Sequence, residues 1–356
     1  MPLLPLYGHH GLRERFREVV GRQALPGSLL LHGPRGVGKQ QLALWIGRLL
    51  LCERPDDAPC GECKSCRLAA SLQHPDLHWY FPRPRLKTAD PDLDEVGEDI
   101  AEGIGERLES SGLYAPPGGD EGLFVASVRA LVHSAALAPA MGRRKVFVIG
   151  DADRLVAQEG AEYAANAFLK LLEEPPANTT IVLTTSEPGA LLPTIRSRVV
   201  AVRVAPLTDA DVRAFLDDER VANQLDVDPG DADELLKLAG GAPGRLIGRE
   251  AWQASLAQAR QVLEAAASPD RGPQFRVALA QGSAGARGRF SDMLEALTVL
   301  LHDQTRTAVR AGDSARAAHS ARAIEAVERA KERAGGNVNP QLLAASLIRQ
   351  LATLAS

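Results

Sequence analysis

Apolar residues along this chain follow two patterns, and the change from one to the other divides it. In roughly the first two hundred positions, short solid apolar runs alternate with stretches of helical spacing. Leu29–Leu31 reads as a buried strand, and from Gln41 to Leu51 the residues Leu42, Leu44, Trp45, Leu49 and Leu50 recur at helical spacing. The same periodicity returns over Leu123–Leu137, through Phe124, Val128, Leu131 and Val132, and a second strand follows at Val146–Ile149. A helix from about Ala161 to Glu174 stops at Pro175-Pro176, because proline disfavours helical geometry in the residue before it. "TTIVLTTSEP" and "VVAVRV" complete a set of four strands. Strands alternating with helices predict an α/β architecture around a mainly parallel sheet. Beyond Pro206 the pattern is helical throughout, and Phe290, Met293, Leu294, Leu297, Leu300 and Leu301 mark one core-facing stripe.

One stretch fits neither pattern. From Arg83 to Gly122 the chain is rich in Pro, Gly and acidic residues, which predicts a partly disordered surface insertion with one helix in its middle. The sequence assigns it no role.

Composition narrows the function classes. At 356 residues the chain has room for two or three domains, and 45% hydrophobic with 24% charged residues suits a globular protein. A net charge of −4 excludes a strongly basic nucleic-acid binder acting alone. A standalone zinc-containing DNA-binding protein would also need a basic stripe interleaved with aromatics, which make up only 4% here. No apolar run approaches the roughly 18 residues of a membrane span. "MPLLPLYGHH" lacks the basic start of a signal peptide, so a cytoplasmic location is expected.

All four cysteines fall between Cys52 and Cys66, spaced C-x7-C-x2-C-x2-C. In a reducing compartment, clustered thiols at this spacing point to metal ligands rather than disulfides. Cys52, Cys60, Cys63 and Cys66 would complete one closed tetrahedral zinc site with no open position, hence structural. Four free thiols on an irregular segment are the alternative. His74 and His78 lie close by but are not needed as ligands.

The clearest chemistry is in "LLLHGPRGVGKQ", residues 29–40. Gly33, Gly36 and Gly38 allow a tight loop whose amides face phosphate oxygens at the start of the next helix, and Lys39 adds a cation. Gln40 stands where a nucleotide hydrolase keeps a Ser or Thr hydroxyl for magnesium, so any coordination of ATP/Mg2+ should be weak or absent. After the second strand, such enzymes place Asp-Glu, and this chain has Asp151-Ala152, with Asp153 next. Asp151 can serve a metal, whereas Ala152 cannot accept a proton. Both departures argue against efficient hydrolysis in this chain's own site.

"HGPRGVGKQ", the cysteine module, "HPDLHWY", "RRKVFVIGDADRL", "NAFLKLLEEPPANTTIVLTTSEPGALLPTIRSR" and "GAPGR" stand in the order found in bacterial clamp-loader AAA+ proteins. The chain resembles that family over most of its length, and within it the delta-prime branch of DNA polymerase III. An active gamma/tau-like ATPase is the alternative, against which Gln40 and Ala152 speak. The resemblance implies a P-loop AAA+ α/β domain over residues 1–205 with an inserted four-cysteine zinc module, a helical lid over 206–248 and an all-α collar over 249–356. It implies that Arg198, in Ser197-Arg198-Val199, acts in trans as an arginine finger on a neighbouring subunit's ATP. A local salt bridge of Arg198 or Arg196 is the other reading. Arg245 would be the arginine that reaches a nucleotide in cis. Thr184 or Thr185 would be sensor or structural hydrogen-bonding residues, and Tyr7 an adenine contact or a plain core residue. The implied partners are delta and gamma/tau subunits, with the beta sliding clamp and primer-template DNA met through the complex.

Overall fold

The computed structural model describes residues 2–54, 59–88, 90–117, 121–155, 162–227, 229–281, 287–334 and 338–355. The chain forms two compact units, Met1–Ile247 and Gly248–Ser356.

The first unit carries the sheet. Its elements run α1 (His10–Gly21), β1 (Ser28–His32), α2 (Lys39–Leu51), α3 (Lys64–Ala70), β2 (Leu77–Tyr80), α4 (Leu93–Glu109), α5 (Val125–Ala136) and β3 (Lys145–Ile149). They continue with α6 (Glu162–Glu173), β4 (Thr179–Thr185), α7 (Pro193–Arg196), β5 (Val200–Arg203), α8 (Asp209–Leu216), α9 (Glu219–Leu225) and α10 (Ala232–Ala239). The five strands pair in parallel in the order β2-β3-β4-β1-β5. Both faces of the sheet are covered, which explains solid apolar runs in place of alternation. Leu29 and Leu31 of β1, with Val146 and Val148 of β3, pack on the α2 side against Leu42 and Ile46. Leu30, Phe147 and Ile149 point the other way, into a core shared with Leu131 of α5 and Phe168 and Leu172 of α6. β5 is an edge strand with Val200 half exposed.

Two expectations need correction. The sheet has a fifth strand: β2, within "HPDLHWY", is only four residues long, and His78 interrupts its apolar run. The stretch 83–122 holds the helix expected in its middle, but that helix is packed into the unit and is not peripheral. Its helix α4 is closed by a capping box at Asp92 and Glu95 and carries Val96, Ile100 and Ile104 at spacings of four. Val96 is buried, and Ile100 and Ile104 pack on the cores of opposite sheet faces. Arg83 anchors the start of the stretch to Asp99 at 3.0 Å and Glu106 at 2.7 Å. The helical face is too sparse in apolar residues to stand out among its acidic neighbours.

α8, α9 and α10 form a smaller helical layer of the same unit. Thr208 caps α8, accepting from the Asp211 amide at 3.2 Å. Val212, Phe215, Leu216, Val221 and Leu235 bury there together with Leu4 and Leu113.

The second unit is helical among its described residues: α11 (Arg249–Ala267), α12 (Arg271–Leu279), α13 (Arg287–Arg310), α14 (Ser314–Ala334) and α15 (Pro340–Ala355). Phe290, Met293, Leu294, Leu297 and Leu301 of α13 are buried, while Leu300 is partly exposed. Lys331 of α14 lies between Glu295 and Glu328, at 2.8 and 3.0 Å.

Candidate functional site

The loop between β1 and α2 is built around its glycines. A side chain at Gly33 would meet the Val204 carbonyl oxygen at 2.2 Å. Gly36 has φ +79° and faces the backbone of Gly244, whose amide donates to the Gly36 carbonyl at 2.9 Å. Only glycine combines that angle with that approach. Gly38, also at positive φ, is the N-cap of α2, so amides at the start of this thirteen-residue helix open onto the loop. Lys39 is buried, and its ammonium donates to the carbonyls of Gly33 at 3.0 Å and Pro34 at 2.8 Å and to Ser186 Oγ at 2.9 Å.

A cavity of about 170 Å³ adjoins this loop. Arg35–Gln41, Asp151, Asp153, Arg154 and Ser186 form its polar wall, and Leu4, Tyr7, Leu207, Phe215 and Ile247 its apolar wall. Gly112, Leu113, Tyr114, Pro116 and Pro117, from the 83–122 stretch, close another side. The Tyr7 ring meets Phe215 edge-on at 5.5 Å and its hydroxyl donates to Asp218 at 2.6 Å. Arg220 holds that carboxyl well below the usual range.

Gln40 is fixed by three partners. Its Nε2 donates to Asp151 Oδ2 at 2.8 Å, while its Oε1 accepts from Trp79 Nε1 at 3.0 Å and from Arg107 at 3.3 Å. Arg107, of α4, is 8% exposed. Its guanidinium carbon lies 4.5 Å from the Trp79 ring centre, 3.4 Å from Phe81 and 3.8 Å from Tyr114, all within cation–π range. Burial lowers its proton affinity, while Tyr114 and Asp151 favour its charge. Motif reading missed this residue; an arginine in line with Val96, Ile100 and Ile104 was the available signal.

Asp151 sits at φ 46° with its amide donating to Thr184 Oγ1 at 3.2 Å. Burial, and then the neighbouring Asp153, raise its pKa, while Lys39 and Arg107 oppose the rise. Thr185 Oγ1 donates to Asp153 at 2.5 Å. Both threonines thus hold the acidic turn. Ala152 is 1% exposed and packs with Ile149 and Leu183 in the core.

The structure therefore gathers Gly33, Gly36, Gly38, Lys39, Gln40 and Asp151 at one place. Arg245 is buried outside the cavity lining, with its guanidinium donating to the Ala239 carbonyl at 3.1 Å near the end of α10. Arg198 also stands apart from the cavity. On the turn between α7 and β5 it donates to Glu173 at 2.9 Å and the Thr194 carbonyl at 3.0 Å.

The four cysteine sulfurs lie within 4.8 Å of one another, with Cys52–Cys63 and Cys60–Cys66 both at 4.0 Å. A tetrahedral ion with bonds of about 2.3 Å spaces its sulfurs by about 3.8 Å, so this set fits zinc. Amides of Cys60, Cys63 and Cys66 donate to neighbouring sulfurs at 3.3–3.5 Å, which favours thiolates. The amides of Cys63 and Glu62 draw the Cys60 thiol down to about 6, whereas burial pushes Cys52 and Cys66 up.

Magnesium does not fit in the same way. A divalent ion needs oxygen lone pairs. Here the amide oxygen of Gln40 is already shared by two N–H donors, and its NH2 group, not a hydroxyl, faces Asp151.

A parallel sheet whose strand β1 runs through a glycine loop and lysine into α2, with an acidic turn after β3, defines a P-loop α/β protein. The family model described as DNA polymerase III, delta subunit matches residues 8–208, more than half of the chain. The DNA polymerase III subunit delta' of Pseudomonas aeruginosa is 34% identical over 228 residues, covering 64% of this chain and 56% of that protein. Its Yersinia pestis counterpart is 30% identical over 299 residues, covering 82% and 70%. Among solved structures, a gamma subunit-related protein from Thermotoga maritima aligns over 96% of this chain and 99% of its own, at 18% identity and a TM-score of 0.36. The chain belongs to the delta-prime subunit family of DNA polymerase III. Among the described residues no helix is long and apolar enough to cross a membrane.

Proposed function

We propose that this chain is a non-hydrolysing stator of a DNA polymerase III clamp loader. The observation that carries this reading is the engagement of Gln40 with Asp151, Trp79 and Arg107 beside a buried Ala152. The magnesium ligand and the proton acceptor of a hydrolase are both replaced, while the fold around them is kept.

In this reading the chain assembles with delta and gamma/tau subunits, the latter binding ATP, and the complex places the beta sliding clamp on primed DNA. Arg198 turns from Glu173 to the phosphates of the adjoining subunit's ATP. Its side chain is about one-third exposed and Glu173 more than half, so the ion pair seen here is weak enough to exchange. Beside Arg198, the half-exposed Val200 on the β5 edge offers apolar surface for a neighbouring chain. The cysteine cluster holds one structural zinc ion, which cross-links the end of α2 to α3 without entering the chemistry.

The test is reconstitution with delta and gamma/tau, followed by DNA-stimulated ATP turnover and clamp loading. Arg198→Ala should lower turnover at least tenfold with the complex still assembled; a trans arginine is worth on the order of 10³–10⁵ in the GTPase examples. Unchanged turnover in an intact Arg198→Ala complex would sink the assignment.

A further inference from the structure

The four cluster cysteines do not reach their meeting point by the same route. Cys60, Cys63 and Cys66 belong to one short stretch, whose C-x2-C-x2-C spacing can gather three sulfurs unaided. The Cys63 amide donates to the Cys60 sulfur at 3.4 Å, and the Cys66 amide to the Cys63 sulfur at 3.3 Å. Cys52 comes from elsewhere, the C-cap of α2. A fourth ligand on a separate element needs that element held against α3 by something besides the ion.

Two side-chain ties cross between these pieces, and they differ in grip. Arg54 donates to Glu62 at 2.9 Å, but both side chains are mostly exposed, and such pairs contribute little. Glu53, the residue after Cys52, makes the other tie. Its Oε1 accepts from the Ser65 amide and from the Ser65 hydroxyl, both at 3.0 Å. Ser65 is 3% exposed and sits in the first turn of α3, where a backbone amide has no partner inside the helix. Release would leave two buried donors without an acceptor, and the carboxylate's charge strengthens both bonds. Ser65 lies between Cys63, the N-cap of α3, and Cys66 within it. Glu53 thus grips the turn that bears two ligands while being bonded to the residue that bears a third.

We infer that Glu53 is a positioning residue of the cysteine cluster, seating Cys52 against α3 so that the fourth thiolate meets a site already formed. The inference rests on reading the cluster as a zinc site. It makes Cys52 the ligand that depends most on an outer contact, and contacts of this kind are worth roughly 10–100-fold in metal affinity.

The test uses the full chain loaded with zinc. Affinity is read by competition with a chromophoric chelator, and the thiols of the loaded protein are then timed against iodoacetamide, with modified positions read by mass spectrometry. Glu53→Ala should weaken zinc binding roughly tenfold or more. Cys52 should then be alkylated ahead of Cys60, Cys63 and Cys66. Glu53→Gln, which keeps an oxygen facing Ser65, should recover part of the affinity. Ser65→Ala, which retains the amide, should lose less than Glu53→Ala and provides the second variant if that one fails to fold. Arg54→Ala should stay within about twofold of the parent, as an exposed pair predicts. Cobalt at saturation should give Glu53→Ala the same four-thiolate absorption as the parent, because no ligand has been removed. Affinity of Glu53→Ala within about twofold of the parent, one common alkylation rate for all four thiols, or an equal loss in Arg54→Ala would each overturn the inference. A parent chain that takes up no zinc would remove the zinc reading and this inference with it, whereas a loaded parent beside an unaffected Glu53→Ala removes the inference alone.

Discussion

At the scale of single residues, the loop glycines, Lys39 and Gln40 were legible because their chemistry is local: the eight consecutive positions from Gly33 to Gln40 set the backbone angles and the charge. What Gln40 does was not legible. Its partners Trp79, Arg107 and Asp151 lie 39, 67 and 111 positions away, and nothing in the loop announces them. His78 shows another effect of tertiary surroundings. Stacked 4.7 Å from Phe147, it is held down to about 4 by burial first and then by Lys145 and His74, with Asp76 opposing. Its folded pKa lies below the unfolded value of about 6.5, so the unfolded chain binds the proton more readily. The stability that depends on neutral His78 is complete above about pH 6.5 and is lost as the pH falls toward 4. The full span corresponds to on the order of 3 kcal/mol. Urea denaturation at pH 7 and pH 4.5 should therefore show a smaller acid loss in His78→Phe, which keeps the stack, than in the parent chain.

At the scale of elements, hydrophobic runs found β1, β3, β4 and β5 because a sheet covered on both faces favours unbroken apolar sequence. β2 escaped because a histidine breaks its short apolar run, whereas β5, equally short, starts on an unbroken one. α4 escaped for the opposite reason: its apolar face was present but diluted by charge. The cysteine module is the element that, on the proposed zinc assignment, owes its order to an ion. Its four sulfurs join the end of α2 to α3. Metal analysis of protein purified without added zinc should return about one equivalent. Cys66→Ser should abolish it and lower the melting temperature by several degrees, because the binding free energy of a structural ion is also folding free energy. Metal content unchanged in Cys66→Ser would remove the cluster as the site.

At the scale of the whole molecule, the chain combines a glycine loop with Lys39 at the start of α2 and, apart from that cavity, Arg198 on the turn before β5. Separation of Arg198 from the cavity is what a contribution in trans requires. The second unit, built on the stripe from Phe290 to Leu301, was foreseen as helical because an amphipathic period of 3.6 survives in any single sequence. Under the proposed assembly, which of its outward faces meet a partner is what reconstitution would read.

Leu113 and Tyr114 are neighbours in sequence but belong to different interiors. Leu113, 7% exposed, is part of the core of α8–α10, and its carbonyl accepts from Gln224 at 3.3 Å. Tyr114 packs against Trp79 and Arg107 beside the sheet. One peptide link thus ties the two interiors together, and their melting is expected to be a single event. Calorimetry of the parent chain should show these layers unfolding together, with their slowest-exchanging amides opening at one common free energy. Leu113→Ala, costing about 2–4 kcal/mol at such a site, should split that event in two, the helical layer exchanging its amides well before the sheet. Coincident opening in the variant would show that the layers are fused by other contacts.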